Sequence, residues 1–182
     1  GVRLSLDAYL DKTRIPLKID ISTGDVITPC EISFSYQLMF ENRTIPLLAY
    51  PPETVLAEKL ETILSRGEAN TRLRDFYDVY ILQREDFVVT PDALCHALLA
   101  TCRKRGHEDL LHTYASILDR VRQSDTMRTQ WMKYQSDFDY AAGITWDTVL
   151  DTVETLCMKT LDDHAFGDEL PQEESQFEMH LL

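Results

Sequence analysis

Val2, Leu4, Leu6, Ala8 and Leu10 alternate with mostly polar neighbours. A period of two predicts a strand with one apolar face. After a turn at Asp11-Lys12-Thr13-Arg14 the period returns at Ile15, Leu17, Ile19 and Ile21. Gly24-Asp25 and Thr28-Pro29 interrupt it, and Ile32, Phe34, Tyr36, Leu38 and Phe40 resume it. A turn at Glu41-Asn42-Arg43-Thr44 then leads to a short apolar run over residues 45–49. Strands linked in this way predict an antiparallel sheet of about four strands.

From Tyr50-Pro51-Pro52 onward the period lengthens to that of a helix, with Pro52 suited to a first turn and Glu53 to the positive end of its dipole. On a helical wheel Val55, Leu56, Leu60, Ile63 and Leu64 share one arc, with Glu58, Glu61 and Thr62 opposite. Lys59 falls inside the apolar arc. Gly67 supplies a stop and the Asn70-Thr71 pair a new start. Leu73, Phe76, Tyr77, Tyr80 and Ile81 then form one broad face, while Val79 and Leu82 form a second that stacks on Asp75. This helix is expected to be covered on most sides, with Asp75 enclosed and Asp78 one turn on.

Further helices are expected from Thr90-Pro91-Asp92 to about Lys104, from Glu108 to Arg122, from Ser124 past Trp131 and Phe138 to a break at Gly143, and from Thr145 through Leu161. The chain thus divides into a β-rich part (1–50), a helical part (51–164) and an acidic tail (165–182) expected to be disordered or loosely docked.

The 182 residues are 44% hydrophobic and 27% charged, enough for a sizeable core. No run of about 18 apolar residues and no signal-like leader is visible, so a soluble cytoplasmic protein without membrane contact is expected. The net charge of -13 argues against duplex nucleic acid binding through a broad basic face, though a local basic cleft is compatible with it. Much of the acidity lies beyond Asp151, where Lys159 is the sole lysine or arginine. Cys30, Cys95, Cys102 and Cys157 are scattered and read as reduced thiols; Cys95 and Cys102 with His107 and His112 lack the close Cys pair that anchors a zinc site. Arg103-Lys104-Arg105 is explained by the end of its helix, where cations favour the dipole.

The candidate chemistry therefore centres on out-of-place charges. An unpaired buried charge costs several kcal/mol, so Lys59 must snorkel or meet an anion. A Lys59–Asp75 or Arg72–Asp75 pair could simply tie two helices together; an anion or substrate site is the other reading, with Arg66, Arg72, Arg74 and Arg84 nearby. Asp20, in mid-strand, belongs either to a solvated face or to a site.

Three blocks in order, IDISTGDVITP over residues 19–29, YPPETVLAEKL over 50–60 and NTRLRDFYDVYIL over 70–82, together resemble the AbiEii-type nucleotidyltransferase toxins of abortive-infection, type IV toxin–antitoxin systems. The resemblance spans residues 2 to about 161. It implies an α+β fold: part of a DNA polymerase β-like nucleotidyltransferase sheet followed by a helical bundle. It also implies transfer of a nucleoside monophosphate from a nucleoside triphosphate to an acceptor, RNA being a candidate, with Mg²⁺ in the complete enzyme and a cognate antitoxin as partner. Such enzymes cluster carboxylates that repel by about 1 to 4 kcal/mol per close pair and tolerate one another through a cation. By position, Asp20 is similar to a metal-binding and catalytic carboxylate, Lys59 to the phosphate-contacting lysine and Asp75 to the functional aspartate. Arg72, Arg74 and Asp78 stand as substrate-binding neighbours. The family's Gly-Ser…Asp-x-Asp turn is not found in these residues; Asp137-Phe138-Asp139 has the form but a helical context. The expectation is a C-terminal portion that is inactive alone. The alternative is a catalytically dead module that binds a nucleotide or a partner.

Overall fold

The alternating stretches fold as hairpins. In the computed structural model, which describes residues 1–84 and 89–162, β1 (Val2–Leu10) pairs antiparallel with β2 (Thr13–Ile21). Asp11 takes a left-handed φ of 53° in the tight turn between them. The register sets Val2 opposite Ile21, Leu4 opposite Ile19, Leu6 opposite Leu17 and Ala8 opposite Ile15. These aliphatic side chains therefore share one face, and Arg3 meets Asp20 on the other. β3 (Ile32–Gln37) and β4 (Thr44–Ala49) repeat the design, with Phe34 opposite Leu47 and Tyr36 opposite Ile45.

The single sheet of about four strands expected from the pattern is corrected here to two separate two-stranded sheets. The connection accounts for this. Thr28 is tied to the start of the first helix, donating its N–H to Thr54 Oγ1 at 2.9 Å and accepting from the same hydroxyl at 3.0 Å. Asp25 accepts from Tyr50 at 3.1 Å. The link is thus spent on the helical part, not on a crossover beside β2. The apolar faces of both hairpins stay open: Leu6 is 42%, Ile19 48% and Phe34 49% exposed.

The rest is helical: α1 (Pro52–Arg66), α2 (Leu73–Leu82), α3 (Pro91–Arg105), α4 (Leu110–Gln123), α5 (Asp125–Asp137) and α6 (Trp146–Leu161), with single 3₁₀ turns at Gly67–Ala69 and Asp139–Ala141. Side-chain caps start three of them: Thr90, Ser124 and Thr145 accept from the N–H of Ala93, Met127 and Thr148. Gly106, at φ 70°, ends α3 in the left-handed conformation that glycine adopts most readily.

The core lies among these helices. Phe76 of α2 sits against Trp146 of α6 with ring centroids 5.0 Å apart, and Trp131 of α5 is 5.9 Å from Trp146. Leu60, Ile63, Leu98, Val121 and Leu150 are buried around them. The wheel's outward assignment of Glu61 and Thr62 is also corrected: both are buried, because the end of α3 covers that side of α1. Among the described residues no helix is long and apolar enough to cross a membrane. The acidic stretch at 165–182 lies outside the described residues.

Candidate functional site

Asp75 and Asp78 are three residues apart on α2 and therefore share a face. Lys59 of α1 reaches both, its Nζ 2.5 Å from Asp78 Oδ2 and 3.5 Å from Asp75 Oδ1. Arg72 Nε lies 3.2 Å from Asp75 Oδ2, and Arg74 Nε lies 3.7 Å from Asp78 Oδ2. The two arginines are mostly exposed, so each contact contributes at most about 1 kcal/mol. Lys59 is different. It is largely enclosed and joins α1 to α2, as the ion-pair reading of the sequence requires.

That pairing does not exhaust the charges. Asp75 is only 4% exposed, and its Oδ2 is buried without a hydrogen bond. The Arg72 contact is a charge contact that lacks hydrogen-bond geometry. A buried carboxylate oxygen left so costs on the order of 1–3 kcal/mol unless something donates to it. Lys59 likewise has three N–H donors and directs two at aspartates.

These atoms line a groove of about 680 Å³, within the range of small-molecule sites. One wall is Thr71, Arg72, Leu73, Arg74, Asp75 and Asp78 with Lys59; the other is Gln130, Lys133, Tyr134, Asp137 and Phe138, from α5 and its end. Cations outnumber carboxylates here although the chain as a whole carries -13. The first turn of α2 opens into the groove with no side-chain cap. The Arg72 N–H is taken by Asn70 Oδ1 and the Asp75 N–H by the Arg72 carbonyl, but the dipole of α2 still adds to the field that an anion would meet. The α5 wall was not legible in the sequence: Lys133 and Gln130 look like ordinary surface positions, and only folding sets them opposite Lys59.

A second cavity, about 420 Å³, lies on the other side of Lys59, Arg72 and Asp75, bounded by Glu58, Glu61, Ser65, Arg66 and Arg105. Glu61, 2% exposed, is held by Arg105 and by His107 Nδ1 at 2.6 Å. Arg105 thus serves a buried carboxylate beyond favouring a helix dipole, while Arg103 pairs with Glu108 at 2.8 Å. Burial pushes the Glu58 carboxyl above its usual range. Burial, with Glu61 nearby, pushes the Cys102 thiol up to about 12. Cys95 is buried in the same helix and its thiol is also raised by burial.

Asp20 stands apart from this constellation. It is on the exposed polar face of β2 and both its oxygens face Arg3, at 2.5 and 2.9 Å. That guanidinium holds its carboxyl below the usual range. Asp20 does not line the groove where Lys59, Arg72, Arg74, Asp75 and Asp78 come together. Nor does the donor set fit a resident Mg²⁺. The Lys59 ammonium occupies the place between Asp75 and Asp78 that a cation would take, and among the described residues no three metal-ligating side chains cluster.

Compared with known proteins, the chain matches the family profile described as nucleotidyl transferase AbiEii toxin, Type IV TA system, over residues 1–152, a span that includes every residue lining the groove. No curated protein and no solved structure gives a match.

Proposed function

The chain belongs to the AbiEii nucleotidyl transferase toxin family of type IV toxin–antitoxin systems, and from this premise we propose that the groove between α2 and α5 binds a nucleoside triphosphate. Membership also implies a cognate antitoxin. In the proposed reaction an acceptor hydroxyl, RNA in the cytoplasm being the candidate source, attacks the α-phosphorus. The bond to pyrophosphate breaks, and the hydroxyl proton passes to a carboxylate.

The observation that carries this reading is the unsatisfied Asp75 Oδ2 beside a lysine with a donor to spare, in a cation-rich groove. Lys59 then takes a phosphate oxygen while Asp78 holds its ammonium in place. Arg72 and Arg74 bind the outer phosphates, and Asp75 accepts the acceptor's hydroxyl and its proton. No step is assigned to a metal held by these residues. They supply the phosphate-binding and proton-accepting side of the reaction, so the chain by itself is expected to bind the triphosphate without turning it over.

Calorimetric titration with nucleoside triphosphate tests the binding half. Lys59→Gln, which keeps a donor to Asp78, should weaken binding by about 10- to 100-fold, the equivalent of losing one hydrogen bond to a charged group. Its thermal midpoint should stay within a few degrees. Unchanged affinity, or loss of the fold, would leave Lys59 as a structural tie only.

A binding module without catalysis is favoured by one observation, the neutralisation of Lys59 by two carboxylates. Transfer of label from an α-labelled triphosphate to RNA, by the protein purified from its native host, separates the two. A transferase loses it on Asp75→Asn while keeping its nucleotide affinity; a module shows no transfer to lose.

A further inference from the structure

The groove has two chemically different ends. Lys59, Arg72 and Arg74 gather near the start of α2, whereas the α5 wall ends in aromatic rings. Phe138 is 42% and Tyr140 50% exposed, and the two rings stack at 5.3 Å with planes 29° apart. Elsewhere in the described helical part, Met132 and Met158 are the large apolar side chains left as open. Two adjacent exposed rings contribute little to a core that already holds Phe76, Trp131 and Trp146, so their presentation to solvent calls for another explanation.

They are also held rigidly. Tyr134 packs against Phe138 at 4.7 Å and shares a 3.0 Å hydrogen bond with the Tyr140 hydroxyl. Tyr77 of α2 supports Tyr140 at 4.8 Å. Trp131 stacks on Tyr134 at 5.3 Å and donates its indole N–H to the Ile144 carbonyl at 2.8 Å. Gln135 bonds the same carbonyl at 2.8 Å, which latches the segment that follows Phe138. Beside the rings, Lys133 makes no ion pair among the described residues, unlike Lys59, Arg72 and Arg74.

We propose that Phe138, backed by Tyr140 and Tyr134, is the stacking shelf for the base of the bound nucleotide, with Lys133 steering its phosphate chain toward Lys59. The inference rests on the nucleotide reading above and adds the subsite that recognises the nucleoside. The physical match is between a polyanion with a flat π-face at one end and a groove with cations at one end and a fixed aromatic face at the other. Because every base has a π-face, the shelf supplies affinity more than choice among bases.

The test titrates the chain and its Phe138→Ala and Phe138→Tyr variants with a nucleoside triphosphate, with inorganic tripolyphosphate, and with a short single-stranded oligonucleotide lacking a triphosphate. Phe138→Ala should lower affinity for the nucleoside triphosphate about 10-fold, the scale of one lost base–aromatic stack. It should leave tripolyphosphate unchanged, and Phe138→Tyr should restore the loss. Equal weakening of both, or of neither, overturns the shelf. Weakening confined to the oligonucleotide also overturns it, since the ring then serves a base of the acceptor. A wild-type chain that binds neither the nucleotide nor tripolyphosphate overturns the nucleotide reading itself, a result distinct from binding that ignores Phe138.

Discussion

The hairpins and the helices are written in the same kind of amphipathic code, yet only the helices cover their apolar face. Ile19 and Phe34 occupy regular period-two positions and remain 48% and 49% exposed. Leu60 and Phe76 occupy regular 3.6-period positions and are completely buried. The difference is one of partners. α1 meets α2 and α3, and α2 meets α6, so each apolar stripe finds another. A two-stranded hairpin has one face and no second layer of its own, and is marginal in isolation. Periodicity states that a face is apolar; it does not state what will cover it.

The largest effect that would sharpen this contrast is Phe76→Ala. It empties a ring-sized space against Trp146 and should destabilise the helical part by about 3–5 kcal/mol in chemical denaturation. A loss below about 1 kcal/mol would mean that the helical core is far looser than its burial indicates.

Cysteine labelling gives an intermediate readout. Cys30 follows the first hairpin and is exposed, whereas Cys95, Cys102 and Cys157 are buried in helices. Burial pushes the Cys102 and Cys157 thiols up to about 12, so near pH 8 both stay protonated as well as inaccessible. An alkylating reagent should add once to the native protein and four times after denaturation, counted by intact mass. Rapid native modification of Cys157 would break the comparison from the helical side.

The smallest effect is expected from Ile19→Ser. The helical unfolding transition should move by no more than about 0.5 kcal/mol, as for an ordinary surface change. A loss of several kcal/mol would show that the hairpin face is packed in solution, and would break the comparison from the other side.

The candidate site divides along a similar line. Lys59 and Asp75 were legible because each violates the pattern of its own helix, and the structure brings them within 3.5 Å. Asp20 violated a pattern too, but cross-strand register gives it Arg3 as a partner on an open face. Glu61 broke no rule on its own wheel. Its burial comes from Arg105 and His107, both more than 40 residues away in sequence. Residues of that kind carry no local signature, because a long-range partner alone makes their position possible.

By itself the sequence determined the paired strands, most of the helix spans, the caps at Thr90, Ser124 and Thr145 and the charges embedded in α1 and α2. It ran the third strand on to Phe40 and the Trp131 helix through Phe138, whereas β3 ends at Gln37 and α5 at Asp137, with Phe138 in extended backbone. Local sterics, hydrogen-bonding and periodicity act over a few residues and can be read there. Tertiary structure alone decided that the strands form two sheets, that Glu61 turns inward, and that α5 brings Lys133 and Phe138 opposite Lys59. Those outcomes depend on which surfaces meet across long stretches of chain, and no window along the sequence contains both sides of such a contact.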